Sequence, residues 1–147
     1  MKSTFLLRLA GLLGAALVAG AVTAAPAQAT LGPAQPIDIQ LRGYSSTGIE
    51  TQVGRMVGTI RFDDGNTLYR IDATMYRQSS YVDTKLRIEV NGATHQNFYQ
   101  SGTISADFPY PGVVQNVRLV FEGLYYDGAT NRVKTITRSA FYDNPYN

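Results

Sequence analysis

His95 is the single histidine of a 147-residue chain that contains no cysteine, so any site pairing a nucleophile with a base must be built around one imidazole. A Ser-His-Asp arrangement would use His95 as base and Ser101 or Ser105 as nucleophile, but no G-x-S-x-G elbow occurs in the chain. His95 falls just past Asn91-Gly92, where a polar residue at a strand end is ordinary, and no orienting partner stands out beside it. Carboxylates for glycoside hydrolysis would be drawn from Glu50, Glu89, Glu122 and the aspartates, and Glu89 and Glu122 take outward positions on predicted strands. The residues therefore favour a non-catalytic protein, with a small secreted hydrolase as the alternative.

Metal chemistry has one candidate. Asp63-Asp64-Gly65-Asn66 groups three oxygen-bearing side chains, and calcium takes oxygen ligands, about 6–8 of them. The spacing is not that of an EF-hand loop, and Asp, Gly and Asn are the residues a tight turn requires in any case. Zinc lacks the Cys and His ligands it needs. No metal and no cofactor is expected.

The aromatic residues exceed background most. All ten tyrosines lie beyond residue 40, with Tyr125 and Tyr126 adjacent, Tyr142 and Tyr146 near the C-terminus, and Tyr110 between Pro109 and Pro111. Neighbours on a strand face opposite ways, so one of Tyr125 and Tyr126 must point outward, offering a flat apolar ring with a polar tip. Tyr125, Tyr126, Tyr142 and Tyr110 are accordingly the candidate residues for stacking on a sugar or anchoring a protein. The plainer reading is that tyrosine is a favoured strand residue whose rings cover sheet edges.

The elements that would position these residues are strands. Ile37, Ile39 and Leu41 alternate with polar residues, as do Met56–Phe62, and Asp63–Asn66 turns the chain into Tyr69, Ile71, Ala73 and Met75. After Ser79-Ser80, five residues from Val82 to Val90 share one face, with Asp83, Lys85, Arg87 and Glu89 on the other. A helix would scatter that stripe. Asn91-Gly92 is the strongest short hairpin signal, making Thr94–Tyr99 the partner strand. Gly102–Phe108, Val117–Glu122 and Val133–Phe141 complete the set, and Pro109 and Pro111 must interrupt any ladder between them.

The first 29 residues read as a secretory leader: Lys2 and Arg8, an apolar run from Leu9 to Val22, and Ala27-Gln28-Ala29 before a cut between Ala29 and Thr30. As a helix that run would span roughly 21 Å, short of the ~30 Å hydrocarbon core. No stable membrane anchor is expected, and the product should be extracellular, or periplasmic in a Gram-negative source. Removing the leader takes two of the 13 basic residues and none of the 11 acidic ones, leaving a net charge of zero. That removes the usual argument for nucleic acid as a partner. The absence of cysteine leaves packing as the source of stability.

These readings predict an extended lead-in over residues 30–36, one domain over 37–142 and a loose tail over 143–147. About seven or eight short strands without a helix predict an all-β, antiparallel two-sheet sandwich, immunoglobulin-like, with a small closed β-barrel as the alternative. The expected role is a secreted interaction module for an extracellular glycan or protein; a protein inhibitor or effector using Ser101-Gly102 or Pro109–Gly112 is a further alternative.

Overall fold

In the computed structural model, which describes residues 29–44, 47–78, 82–128 and 130–147, the alternation from Val82 to Val90 becomes alternate burial without a miss. The same period-two pattern builds the rest: β1 (Gln35–Tyr44), β2 (Glu50–Phe62), β3 (Leu68–Arg77), β4 (Val82–Val90), β5 (Ala93–Phe98), β6 (Gly102–Pro109), β7 (Asn116–Asp127) and β8 (Arg132–Asp143). The expected leader up to residue 28, and Ser79, Ser80 and Tyr81, lie outside the described residues.

The strands form two antiparallel sheets of four, ordered β1-β2-β3-β6 and β5-β4-β7-β8. The chain is a two-sheet β-sandwich, and its four edge strands exclude a closed barrel. Like an immunoglobulin sandwich, it interlocks two crossed pairs, β3 with β6 in one sheet and β4 with β7 in the other. It departs from the seven-strand order in opening with a three-strand meander, β1-β2-β3.

Between the sheets lie Leu41, Met56, Ile60, Phe62, Tyr69, Ile71, Leu86, Ile88, Leu119 and Phe121, all fully buried. Each such side chain stabilises the fold by about 1.5–3 kcal/mol relative to exposure. One lateral side closes where β1 packs against β8. The opposite side, between β5 and β6, is flanked by Phe98, Ile104 and Phe108.

The connections β2–β3, β4–β5 and β6–β7 share one end of the sandwich with the C-terminal residues, here the lower end; β1–β2, β3–β4, β5–β6 and β7–β8 share the upper end. At the lower end Asp63, fully buried, accepts the Thr67 and Leu68 amides at 2.9 and 2.7 Å and the Thr67 hydroxyl at 3.2 Å. The oxygens considered for calcium thus hold the β2–β3 turn. Asn91 and Gly92 both have positive φ, 51° and 82°, as a two-residue hairpin turn requires. The Asn91 side chain also clips the β6–β7 connection, accepting from Gln115 N at 2.9 Å and donating to Val113 O at 2.7 Å.

Both flanking segments are held against the domain. Residues 30–36 are tied down, beginning with Thr30, the residue expected to follow the leader cut. Its amide donates to Asp64 Oδ1 at 2.9 Å and its carbonyl accepts from Asp64 N at 3.1 Å, so Thr30 is fastened to the β2–β3 turn although its side chain is exposed. Leu31 then bridges Asp63, and Gly32 N donates to Phe62 O at 2.8 Å. The physical reason is that the β2–β3 turn leaves backbone and carboxylate groups unpaired on its outer side, and the lead-in supplies their partners. Residues 143–147 are docked rather than loose. Asn144 is buried, its amide donating to Val114 O at 2.7 Å and Asn66 Oδ1 at 2.8 Å, and the Tyr146 ring lies where a Cβ on Gly32 would stand. Short polar side chains that look like loop formers in sequence here satisfy buried backbone groups.

Candidate binding cleft at the upper end

A two-residue hairpin starting from Val90↔Ala93 would leave Phe98 on the outer face and Tyr99 on the inner one. A β-bulge prevents this. Ile88 pairs Gln96 but Glu89 pairs Thr94, so His95 is the extra residue and the register shifts by one. A one-residue shift exchanges the two faces of a strand. Phe98 therefore packs against the core, and Tyr99 turns outward beside Lys85, 68% exposed, with the lysine Nζ 5.4 Å from its ring centroid.

Tyr99 stands in a cleft of about 620 Å³ formed by Arg77 at the end of β3, Asp83, Thr84 and Lys85 on β4, Tyr99, Gln100 and Ser101 after β5, and Leu124 on β7. Its charged groups are loosely held: Arg77 lies 4.0 Å from Asp83, itself 80% exposed, and Lys85 lies 3.9 Å from Glu122. Thr84 is 3% exposed, on the inward face of β4, and its hydroxyl has no hydrogen-bond partner among the described residues. A smaller hollow of about 300 Å³ between β5 and β6, walled by Met75, Phe98, Ile104 and Ala106, shares Gln100 and Ser101 with this cleft. The arrangement offers an aromatic face, donors of several geometries and an aliphatic wall, which suits stacking and hydrogen bonding.

Three arginines elsewhere on the outer faces hold a carboxylate tightly, while Arg42–Glu50 at 3.4 Å and Arg118–Glu89 at 3.7 Å are looser. Arg55 reaches both Asp38 oxygens at 2.9 Å, and Arg70 reaches Asp72 at 2.8 Å and Asp107 at 3.0 Å. The Arg70 guanidinium, with help from the Ser105 hydroxyl, holds the Asp72 carboxyl below the usual carboxylate range. Arg87 reaches Glu89 at 2.9 Å.

The residues singled out in the sequence are dispersed. Tyr125 is half-buried against the core and Tyr126 is exposed, its hydroxyl bonded to Asn131, so adjacent rings do face opposite ways. Tyr142 corrects the expectation of an available ring: it faces inward and is 8% exposed, because its strand position alternates with Phe141 and Asp143. Tyr110 is half-buried, edge-on to His95 at 5.4 Å. Tyr125 and Tyr126 lie at the upper end and Tyr110 and Tyr142 at the lower, so the four make no common surface. The residues flanking the expected leader cut, Ala29 and Thr30, are both exposed and stand beside the β2–β3 turn at the lower end, away from the cleft.

His95 Nδ1 shares a hydrogen bond of 2.7 Å with the buried Tyr69 hydroxyl. Ser105 instead donates to Asp72 at 2.6 Å on the outer face of the other sheet, so His95 and Ser105 make no triad. Ser101 lines the cleft. Glu89 and Glu122 do share an outer face, with Arg87 paired to both, while Glu50 pairs with Arg42. Sequence reasoning missed Tyr99. The available signal was Asn91-Gly92 followed by an aromatic pair, Phe98-Tyr99, of which one ring had to face out.

Among the described residues no helix is long and apolar enough to cross a membrane. No protein-family model matches the chain, and no match was found among curated proteins or solved structures. The eight-stranded sandwich and the cleft at its upper end are the basis for reading its role.

Proposed function

We propose that this chain is a secreted, non-catalytic module that binds an extracellular glycan at the upper cleft. The observation that carries it is Tyr99, an exposed ring held in a hollow together with Gln100, Ser101, Asp83, Arg77 and Lys85. Sugars present apolar C–H faces and directional hydroxyls, and an aromatic ring surrounded by flexible donors and acceptors meets both. The leader-like N-terminus supports an extracellular setting. Further support is the clustering of exposed apolar side chains: Tyr44, Ile49, Tyr76, Tyr99, Leu124, Tyr126 and Val133, seven of the ten large ones exposed among the described residues, lie at the upper end. Binding loops gathered at one end are the usual way a sandwich presents a site.

The test is titration of soluble cell-wall oligosaccharides into isotopically labelled protein, with amide shifts mapped on the sandwich. Shifts centred on residues 77, 83–85, 99–101 and 124, abolished by Tyr99→Ala, support the reading. Absence of shifts up to millimolar oligosaccharide, or shifts at the lower end, would overturn it.

A further inference from the structure

Resting on the glycan reading, we infer that the cleft selects sugars carrying an anionic substituent, a carboxylate or a sulfate ester. The cleft's lining holds two cations, Arg77 and Lys85, and one acid, Asp83, while Glu122, the carboxylate nearest Lys85, stands outside the lining. Among the described residues, neither cation has a carboxylate within hydrogen-bonding distance. Arg55, Arg70 and Arg87 each hold a carboxylate at 2.8–2.9 Å, whereas Arg77 and Lys85 meet theirs only at 4.0 and 3.9 Å. Asp83 is 80% exposed, so its charge is well screened by water. Lys85 lies over the Tyr99 ring, 5.4 Å from the centroid. A pyranose stacked on Tyr99 would bring a ring substituent within reach of the Lys85 ammonium. Arg77, elsewhere on the cleft wall, can take two oxygens of one carboxylate or sulfate at once.

The remaining wall fits the same ligand. Gln100 and Ser101 supply uncharged donors and acceptors for ring hydroxyls.

The experiment compares three oligosaccharides of matched length by calorimetry: a neutral glucan, a carboxylate-bearing galacturonan and a sulfated galactan without carboxylate. Expected is at least about 10-fold tighter binding of one or both anionic chains than of the neutral one, weakening as salt rises. In the double variant Arg77→Gln, Lys85→Gln the anionic preference should disappear, the three chains binding that variant with equal affinity; circular dichroism verifies the fold. Which anionic chain binds distinguishes carboxylate from sulfate. Equal affinity for all three chains, with binding still lost in Tyr99→Ala, overturns the charge selection and leaves the glycan reading standing. No binding of any chain overturns both.

Discussion

The lower end of the sandwich uses its polar groups on itself, and the upper cleft does not, although Asp127 at the same end is buried and held by Thr130 and Lys134. Below, Asp63, Asn66, Asn91 and Asn144 bond the β2–β3 turn, the β6–β7 connection and the C-terminal residues into one unit, at distances between 2.7 and 3.2 Å. Above, Arg77, Asp83 and Lys85 face solvent in long ion pairs, Thr84 has no partner, and Tyr99 lies mostly bare. The difference teaches that a polar side chain in a β-sandwich reads as structural when the backbone beside it lacks a partner, and as available when the ladder is already complete.

That contrast can be broken most forcefully at Asp63. Asp63→Ala removes three hydrogen bonds to a buried carboxylate and should cost about 3 kcal/mol or more, read as the shift of a urea unfolding curve. A loss under about 1 kcal/mol would mean that the lower end is no lock.

A second measurement uses pH. Burial pushes the Tyr69 phenol well above its ordinary value of 10. A group with a raised folded-state pKa contributes its full stability below the unfolded value and loses it as pH climbs toward the folded one, so the protein should weaken above about pH 10. Tyr69→Phe keeps the ring stacked on Phe108 and should flatten that alkaline decline relative to the parent. An unchanged alkaline limb would place the sensitivity elsewhere, with Tyr142, also raised by burial, as the next residue to test.

Thr84→Val sharpens the contrast from above. Replacing an unpartnered buried hydroxyl by a methyl of similar size should stabilise the protein by about 1 kcal/mol, opposite in sign to Asp63→Ala. Destabilisation of that size would show the hydroxyl to be in use. The smallest effect belongs to Tyr99→Ala, expected to leave the unfolding midpoint within about 0.5 kcal/mol because the ring is mostly in solvent. A large loss there would make Tyr99 a structural residue and weaken the case for the cleft.

Much of the fold was legible because burial follows a period of two. Val82 to Val90 could satisfy its alternation only as a strand with one dry face, and Asn91-Gly92 could hardly be anything but a hairpin turn. The candidate site was far less legible. Tyr125 and Tyr126 were conspicuous by adjacency, yet adjacency says only that one ring is out, not what surrounds it. Tyr142 alternated like its neighbours, and the packing of β8 against the core set its side. Thr30, Asn144 and Tyr146 read as lead-in or tail residues because their partners, Asp64, Val114 and Gly32, are remote in sequence.

The amino-acid order by itself determined the all-β class, the strands and most turns, and the exclusion of thiol chemistry, since these follow from residue type and local spacing. Only the tertiary structure decided that His95 is the bulged residue and that Tyr99 consequently faces out beside Lys85. The physical reason is that a bulge is chosen by the fit of a whole strand against its neighbours: one extra residue near Glu89 seats Phe98 in the core and, in doing so, exposes the ring next to it.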